Sequence, residues 1–214
     1  ADHKVIDKQS KIKVPPENPV YTLKRVWLTK EEENGYYYGY SNEALWPLCH
    51  AVFQRPTFKK EDWEYYVKVN QKFAEAVFEE ISSRRAFVFI QDYHLTLLPK
   101  FLKEMAGSDV IIALFWHIPW PNYEAFRVCP QRHQILEGLL SNDLLGFHIR
   151  YHCDNFLDVV DREIESKIDR EKFSIIRQGH ETLIHPYPIS VDFESIDEIS
   201  KSNEVKIAME NLRQ

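Results

Sequence analysis

Two short motifs place ionisable side chains directly after runs that carry no charge. QDYH, Gln91 to His94, follows AFVFI, and WHIPWP, Trp116 to Pro121, follows IIALF. An ionisable group beside a buried strand costs stability unless something pairs with it, so such positions are candidates for chemistry. Asp92 could orient hydroxyl groups of a ligand; its other reading is a helix cap for a segment starting at His94 or Leu95. His117 precedes two prolines that stiffen its turn, which leaves a fixed imidazole able to hold a sugar hydroxyl; the other reading is a structural histidine satisfied by its surroundings. Aromatic residues make up 14% of the chain and cluster in GYYYGYSNEALW and LFWHIPWPNYEAF. Their ring faces match the C–H surface of a pyranose, although core packing accounts for most such clusters.

Other chemistries lack their residues. There is no GxSxG elbow, no GxxxxGK[ST] loop and no GxGxxG fingerprint, which disfavours a serine hydrolase, a P-loop nucleotidase and a dinucleotide dehydrogenase. No strand ends in an Asp-x-Asp pair for a metal-bound diphosphate, and no HExxH occurs; His148 and His152 are separated by an expected strand-to-helix junction. No metal and no cofactor are expected. A net charge of −6 argues against nucleic acid, which needs a basic face to displace counterions. Cys49, Cys129 and Cys153 are scattered and odd in number, so neither a disulfide framework nor a zinc site is indicated. No run approaches the roughly 20 apolar residues that span a bilayer, and the start has no signal-peptide core; a soluble cytoplasmic protein is the expectation.

The elements that position these motifs alternate. Residues 1–20, with Pro15, Pro16 and Pro19, read as an extended segment. VWLTKEEE reads as a strand entering a helix, with Thr29 and Glu32 at capping-box spacing. From Asp62 to about Arg84 the apolar residues recur at the helical period, from Trp63 and Tyr66 to Ile81. There follow AFVFIQ as strand, HLTLLPKFLKEMAG as helix stopped by Gly107, DVIIALFW as strand and QRHQILEGLLSN as helix. DLLGFHI is strand-like, YHCDNFLDVVDREI helical and, after a polar stretch, ETLIHPYPIS strand-like. Uniformly apolar strands between amphipathic helices imply an α/β, Rossmann-like, predominantly parallel sheet with helices on both faces. Residues 21–200 form that domain, and 201–214 are a terminal helix or tail. In such a sheet the ligand sits at the carboxyl ends of the strands, where QDYH and WHIPWP both fall.

Five ordered blocks carry a resemblance: YYYGYSNEALWPLCH, QDYHLTLLP, WHIPWPNYEAFR, LLSNDLLGFH and HPYPISVDF, spanning about Val26 to Phe193. Together they resemble the trehalose-6-phosphate synthase family. That resemblance implies a GT-B glycosyltransferase of two Rossmann-like halves, of which this chain is the N-terminal, acceptor-side one. It implies that Tyr37 and Trp46 contact the acceptor sugar phosphate, that Asp92 contacts acceptor hydroxyls and that His117 contacts the transferred glucose. The implied reaction is retaining transfer of glucose from a nucleotide sugar, UDP-glucose foremost, to glucose 6-phosphate, giving trehalose 6-phosphate.

The family's opening strand with its arginine and glycine-rich loop, and its later donor-diphosphate arginine and lysine, have no match here. The expectation is therefore a truncated or proteolysed piece, with a natural standalone module as the alternative, inactive alone, whose partners are the donor, the acceptor and the missing C-terminal GT-B domain; a homo-oligomer stays open. QDYHL in place of the more usual HDYHL, and Ser190 in place of a glycine, leave the acceptor open too, glycerol phosphate being one alternative. A non-catalytic sugar-phosphate binding module and a generic nucleotide binder are the competing classes.

Overall fold

A computed structural model describes residues 10–81 and 85–213. The chain enters through a hairpin in which β1 (Lys11–Val14) pairs antiparallel with β2 (Tyr21–Lys24). The strand expected at VWL is displaced to YTLK, because the antiparallel partner KIKV lies upstream and residues 26–28 run on as irregular chain. Residues 1–9 of the expected 1–20 segment lie outside the described residues. Helix α1 (Lys30–Glu33) starts at the expected capping box: the Thr29 side chain accepts from Glu32 N–H, and the Glu32 carboxylate accepts from Thr29 N–H.

NGYYYGYSNEAL then forms a π-helix over Asn34–Leu45, followed by α2 (Trp46–His50). The wide helix lies on α3 (Lys60–Ile81), and two glycines permit the approach. A Cβ on Gly39 would come within 2.5 Å of the Asp62 carboxyl carbon, and one on Gly35 within 2.4 Å of the Tyr65 ring. Arg84, the expected end of α3, lies outside the described residues.

The main sheet holds β3 (Ala86–Gln91), β4 (Val110–Trp116), β5 (Leu144–Phe147), β6 (Lys167–Asp169), β7 (Ser174–Arg177) and β8 (His180–Pro186), in the order β3-β4-β5-β8-β7-β6. The pairs β3/β4, β4/β5 and β5/β8 are parallel; β8/β7 and β7/β6 are antiparallel. The connecting helices are α4 (Leu98–Ala106), α5 (Tyr123–Phe126), α6 (Arg132–Leu139) and α7 (Arg150–Glu163); α8 (Phe193–Ser200) and α9 (Asn203–Leu212) follow. Gly107 ends α4 with φ +65°, a conformation that a side chain would strain.

Because β3, β4, β5 and β8 follow one another across the sheet in chain order, right-handed crossovers put α4, α6 and α7 on one face. That face carries the core, including Ile90, Ile112, Leu114, Leu145, Phe147 and Ile184. On the other face Phe87, Phe89 and Ile111 remain more than half exposed. All three crossovers wind the same way, and the apolar side chains of the opposite face stay open to solvent among the described residues. No helix among the described residues is long and apolar enough to cross a membrane.

Candidate functional site

The rim formed by the carboxyl ends of β3, β4 and β5 is built first from backbone. Asp92 ends β3 with φ 67° and ψ −175°, a region that costs an L-residue about 1–3 kcal/mol and collects at functional sites. Its N–H donates to the Phe115 carbonyl at 2.8 Å. This turns the carboxylate sideways along the rim, where Oδ1 accepts the His117 backbone N–H at 3.1 Å. The helix-cap reading of Asp92 is set aside, since its side chain makes no cap bond to the 3-10 turn Tyr93–Leu95.

His117 stands exposed at the end of β4, with Nε2 2.7 Å from Gln91 Oε1. An amide oxygen only accepts, so this contact puts the proton on Nε2 and leaves Nδ1 as a free acceptor. The loop after His117 is tied to α7: Asn155 donates to the Trp120 carbonyl at 3.1 Å, and His152 Nδ1 lies 3.3 Å from the Trp120 amide nitrogen. Asp92 and His117, identified separately from their motifs, are therefore one bonded pair at the rim.

Helix α3 supports the QDYH turn from below through two buried polar residues. Tyr66 Oη donates to the Tyr93 carbonyl at 2.6 Å and lies 2.9 Å from Thr96 Oγ1. Asn70 Nδ2 donates to the His94 carbonyl at 3.2 Å, and its Oδ1 accepts the Leu97 and Leu98 N–H groups at 3.0 and 3.2 Å. At the start of α4 such amides have no partner within their own helix, so Asn70, a residue on another helix, caps it.

Tyr37 reaches the same turn by stacking on His94, ring centroids 5.4 Å apart and planes within 14°. His94 also stacks on Tyr93 at 4.1 Å, and Tyr93 Oη donates to Asn42 Oδ1 at 3.0 Å, closing the link to the π-helix. Burial pushes the His94 imidazole below the ordinary histidine range, against the pull of nearby Asp92. Trp46 is 38% exposed and stacks on His50 at 4.1 Å; among the described residues no hydrogen bond joins it to Asp92 or His117. On the same short helix Cys49 is buried, and burial raises its thiol well above the ordinary range, with smaller contributions from Cys129 and Asp92.

Two residues of the rim, Gln91 and His148, are not assigned to a sugar site by the sequence alone, and the contact made by a third, His94, is not readable from it. Gln91 was visible one position before Asp92, but only the register of β3 against β4 brings it to His117. His94 was noted, and its stacking on Tyr37 was not. His148, at the end of β5, was weighed only as a metal ligand. No group of three or more His, Cys, Asp or Glu residues that could hold a metal ion occurs among the described residues. Donors, acceptors and exposed rings without a nucleophilic pair suit the binding and orienting of a polyhydroxylated ligand.

The model of glycosyltransferase family 20 matches residues 2–214. The trehalose-6-phosphate synthase of Mycolicibacterium vanbaalenii is 37% identical over 206 residues, covering 93% of this chain and 42% of that protein. An α,α-trehalose-phosphate synthase (UDP-forming) from Burkholderia xenovorans in complex with glucose-6-phosphate superposes with a TM-score of 0.76 at 28% identity, over 84% of this chain and 40% of its own. An E. coli structure, described as trehalose-6-phosphate bound with UDP-2-fluoro glucose, gives 0.77 at 27% identity, over 87% and 41%. The chain spans about two-fifths of the length of these relatives.

Proposed function

The chain belongs to glycosyltransferase family 20, and from that premise we propose that it forms the acceptor-side half of a hexosyltransferase moving glucose from UDP-glucose to glucose 6-phosphate. The observation that carries the reading is the bonded pair of Asp92 and His117 at the carboxyl rim of the sheet, the place where open α/β sheets bind ligands. Support for the two sugars comes from the similar structures, one in complex with glucose-6-phosphate and one bound with UDP-2-fluoro glucose.

In this reading Asp92 accepts from acceptor hydroxyls, and the exposed rings of Tyr37 and Trp46 wall the acceptor sugar phosphate. His117, oriented by Gln91, holds the transferred glucose. The bond from the anomeric carbon to the diphosphate oxygen breaks as the bond to the acceptor oxygen forms, and the acceptor's proton passes to the departing phosphate. Retaining glycosidases form a covalent intermediate with two carboxylates about 5–5.5 Å apart, and among the described contacts no second carboxylate lies beside Asp92. The protein's part is then to orient the sugars and stabilise charge, with retention at the donor carbon. The nucleotide is held by the other half of the longer enzyme, so the isolated chain binds and does not turn over.

A second acceptor reading has one residue in its favour. Gln91 stands where the family it resembles more usually has histidine, directly before Asp92, the residue assigned to the acceptor, which fits transfer to another phosphorylated acceptor.

Calorimetry of this chain with glucose 6-phosphate, glycerol phosphate and UDP-glucose tests the proposal. Binding of glucose 6-phosphate that is lost in Asp92→Ala and Trp46→Ala supports it. Preference for glycerol phosphate moves the assignment to the second reading, and a folded chain that binds none of the three contradicts both.

A further inference from the structure

We infer that His148 is a further positioning residue of this rim, one that donates a hydrogen bond from Nε2 to an oxygen of the transferred sugar; the inference rests on the reading of the rim as a sugar site. His148 follows Phe147, the last residue of β5, and β5 is the neighbour of β4, whose end carries His117. The His117 and His148 rings lie 5.8 Å apart, and both stand edge-on to the Phe115 ring, at 4.7 and 4.9 Å. One phenyl ring therefore fixes both imidazoles.

The chemistry of His148 follows from its unused atom. Nδ1 is buried and has no hydrogen-bond partner among the described residues. His152, His180 and His50 each spend a ring nitrogen on a backbone group instead. A neutral imidazole has one N–H and one lone pair, and a buried orphan N–H is rarer than an unsatisfied acceptor. The favoured tautomer leaves Nδ1 bare and carries the proton on Nε2. The residue is half-buried, so its exposure falls on the edge opposite Nδ1, which holds Nε2.

Position selects the ligand. Adjacent strands are about 4.8 Å apart, so Asp92, His117 and His148, at the ends of three neighbouring strands, form a row about 10 Å long. The acceptor lies at the Asp92 end, beside Tyr37. The far end, shared by His117 and His148, takes the transferred sugar, whose oxygens accept the outward N–H.

The test is imidazole NMR on the histidine-labelled chain, which detects millimolar binding. The expected result is the Nε2–H tautomer of His148 at neutral pH, and movement of both the His117 and His148 resonances on addition of UDP-glucose. His148→Phe keeps the ring's shape without the donor and should weaken UDP-glucose at least tenfold. His148→Gln keeps an N–H and should stay within about threefold, with glucose 6-phosphate affinity unchanged in both. An Nδ1–H tautomer overturns the inference, as does a His148 resonance that stays still while His117 moves; both leave the proposed function standing. If neither resonance moves and glucose 6-phosphate does not bind, the sugar-site reading itself falls, and this inference with it.

Discussion

The Asp92 carboxylate accepts the backbone N–H of His117 across two adjacent parallel strands, at 3.1 Å, while the Asp92 backbone is held at φ 67°. The strained backbone aims the carboxylate, and the bond fixes the start of the loop that carries the histidine. Geometry of this kind is kept at a site against its cost.

Substitutions at Asp92 separate strain from chemistry. Asp92→Gly relieves the backbone and Asp92→Ala does not, so the glycine variant should be more stable than the alanine variant by about 1 kcal/mol. Urea unfolding measures the difference. Both variants should lose glucose 6-phosphate binding, which shows that the residue is retained for its carboxylate rather than for stability.

Asn70 joins α3 to the QDYH turn through the His94 carbonyl and the Leu97 and Leu98 amides, all within 3.2 Å. Asn70→Ala strands three buried backbone groups and should cost about 2–4 kcal/mol. A fall in the urea midpoint with unchanged slope checks this. Weakened sugar binding should accompany it, because the same turn carries Asp92.

Glu32 is 1% exposed and sits between Lys68 at 3.0 Å and Lys72 at 2.6 Å. Burial opposes its ionisation, but Lys72, the Thr29 N–H and Lys68 outweigh that and bring its pKa down to about 2. A carboxyl whose folded pKa is depressed adds stability above its unfolded pKa, about 4.3, and loses it as pH falls towards the folded value. Thermal melts of wild type should therefore drop between about pH 4.5 and pH 2. Glu32→Gln should start lower by roughly 2 kcal/mol and lack that part of the acid slope.

Much of this architecture was legible in sequence because its signals are local. AFVFIQ and VIIALFW are uniformly apolar, the period of Trp63 to Ile81 is helical, and Thr29 with Glu32 declares a cap. The five blocks carried the family. Elements defined by non-local contacts were not legible. KID and SIIR are strands of three and four residues, recognisable only once they pair with each other and with β8. The π-helix over Asn34–Leu45 depends on Gly35 and Gly39 meeting Tyr65 and Asp62, and a period count is blind to that. At the site, Asp92 and His117 each stood out beside an apolar strand. Gln91 and His148 are ordinary polar residues until the register of β3, β4 and β5 places them beside His117.

A crystal structure of this chain soaked with glucose 6-phosphate tests the central claim most directly. The account places the sugar over the end of β3, its hydroxyls on the Asp92 carboxylate and its phosphate beside Tyr37 and Trp46. A sugar phosphate ordered elsewhere, with Asp92 still bonded only to His117, would contradict the acceptor-half assignment.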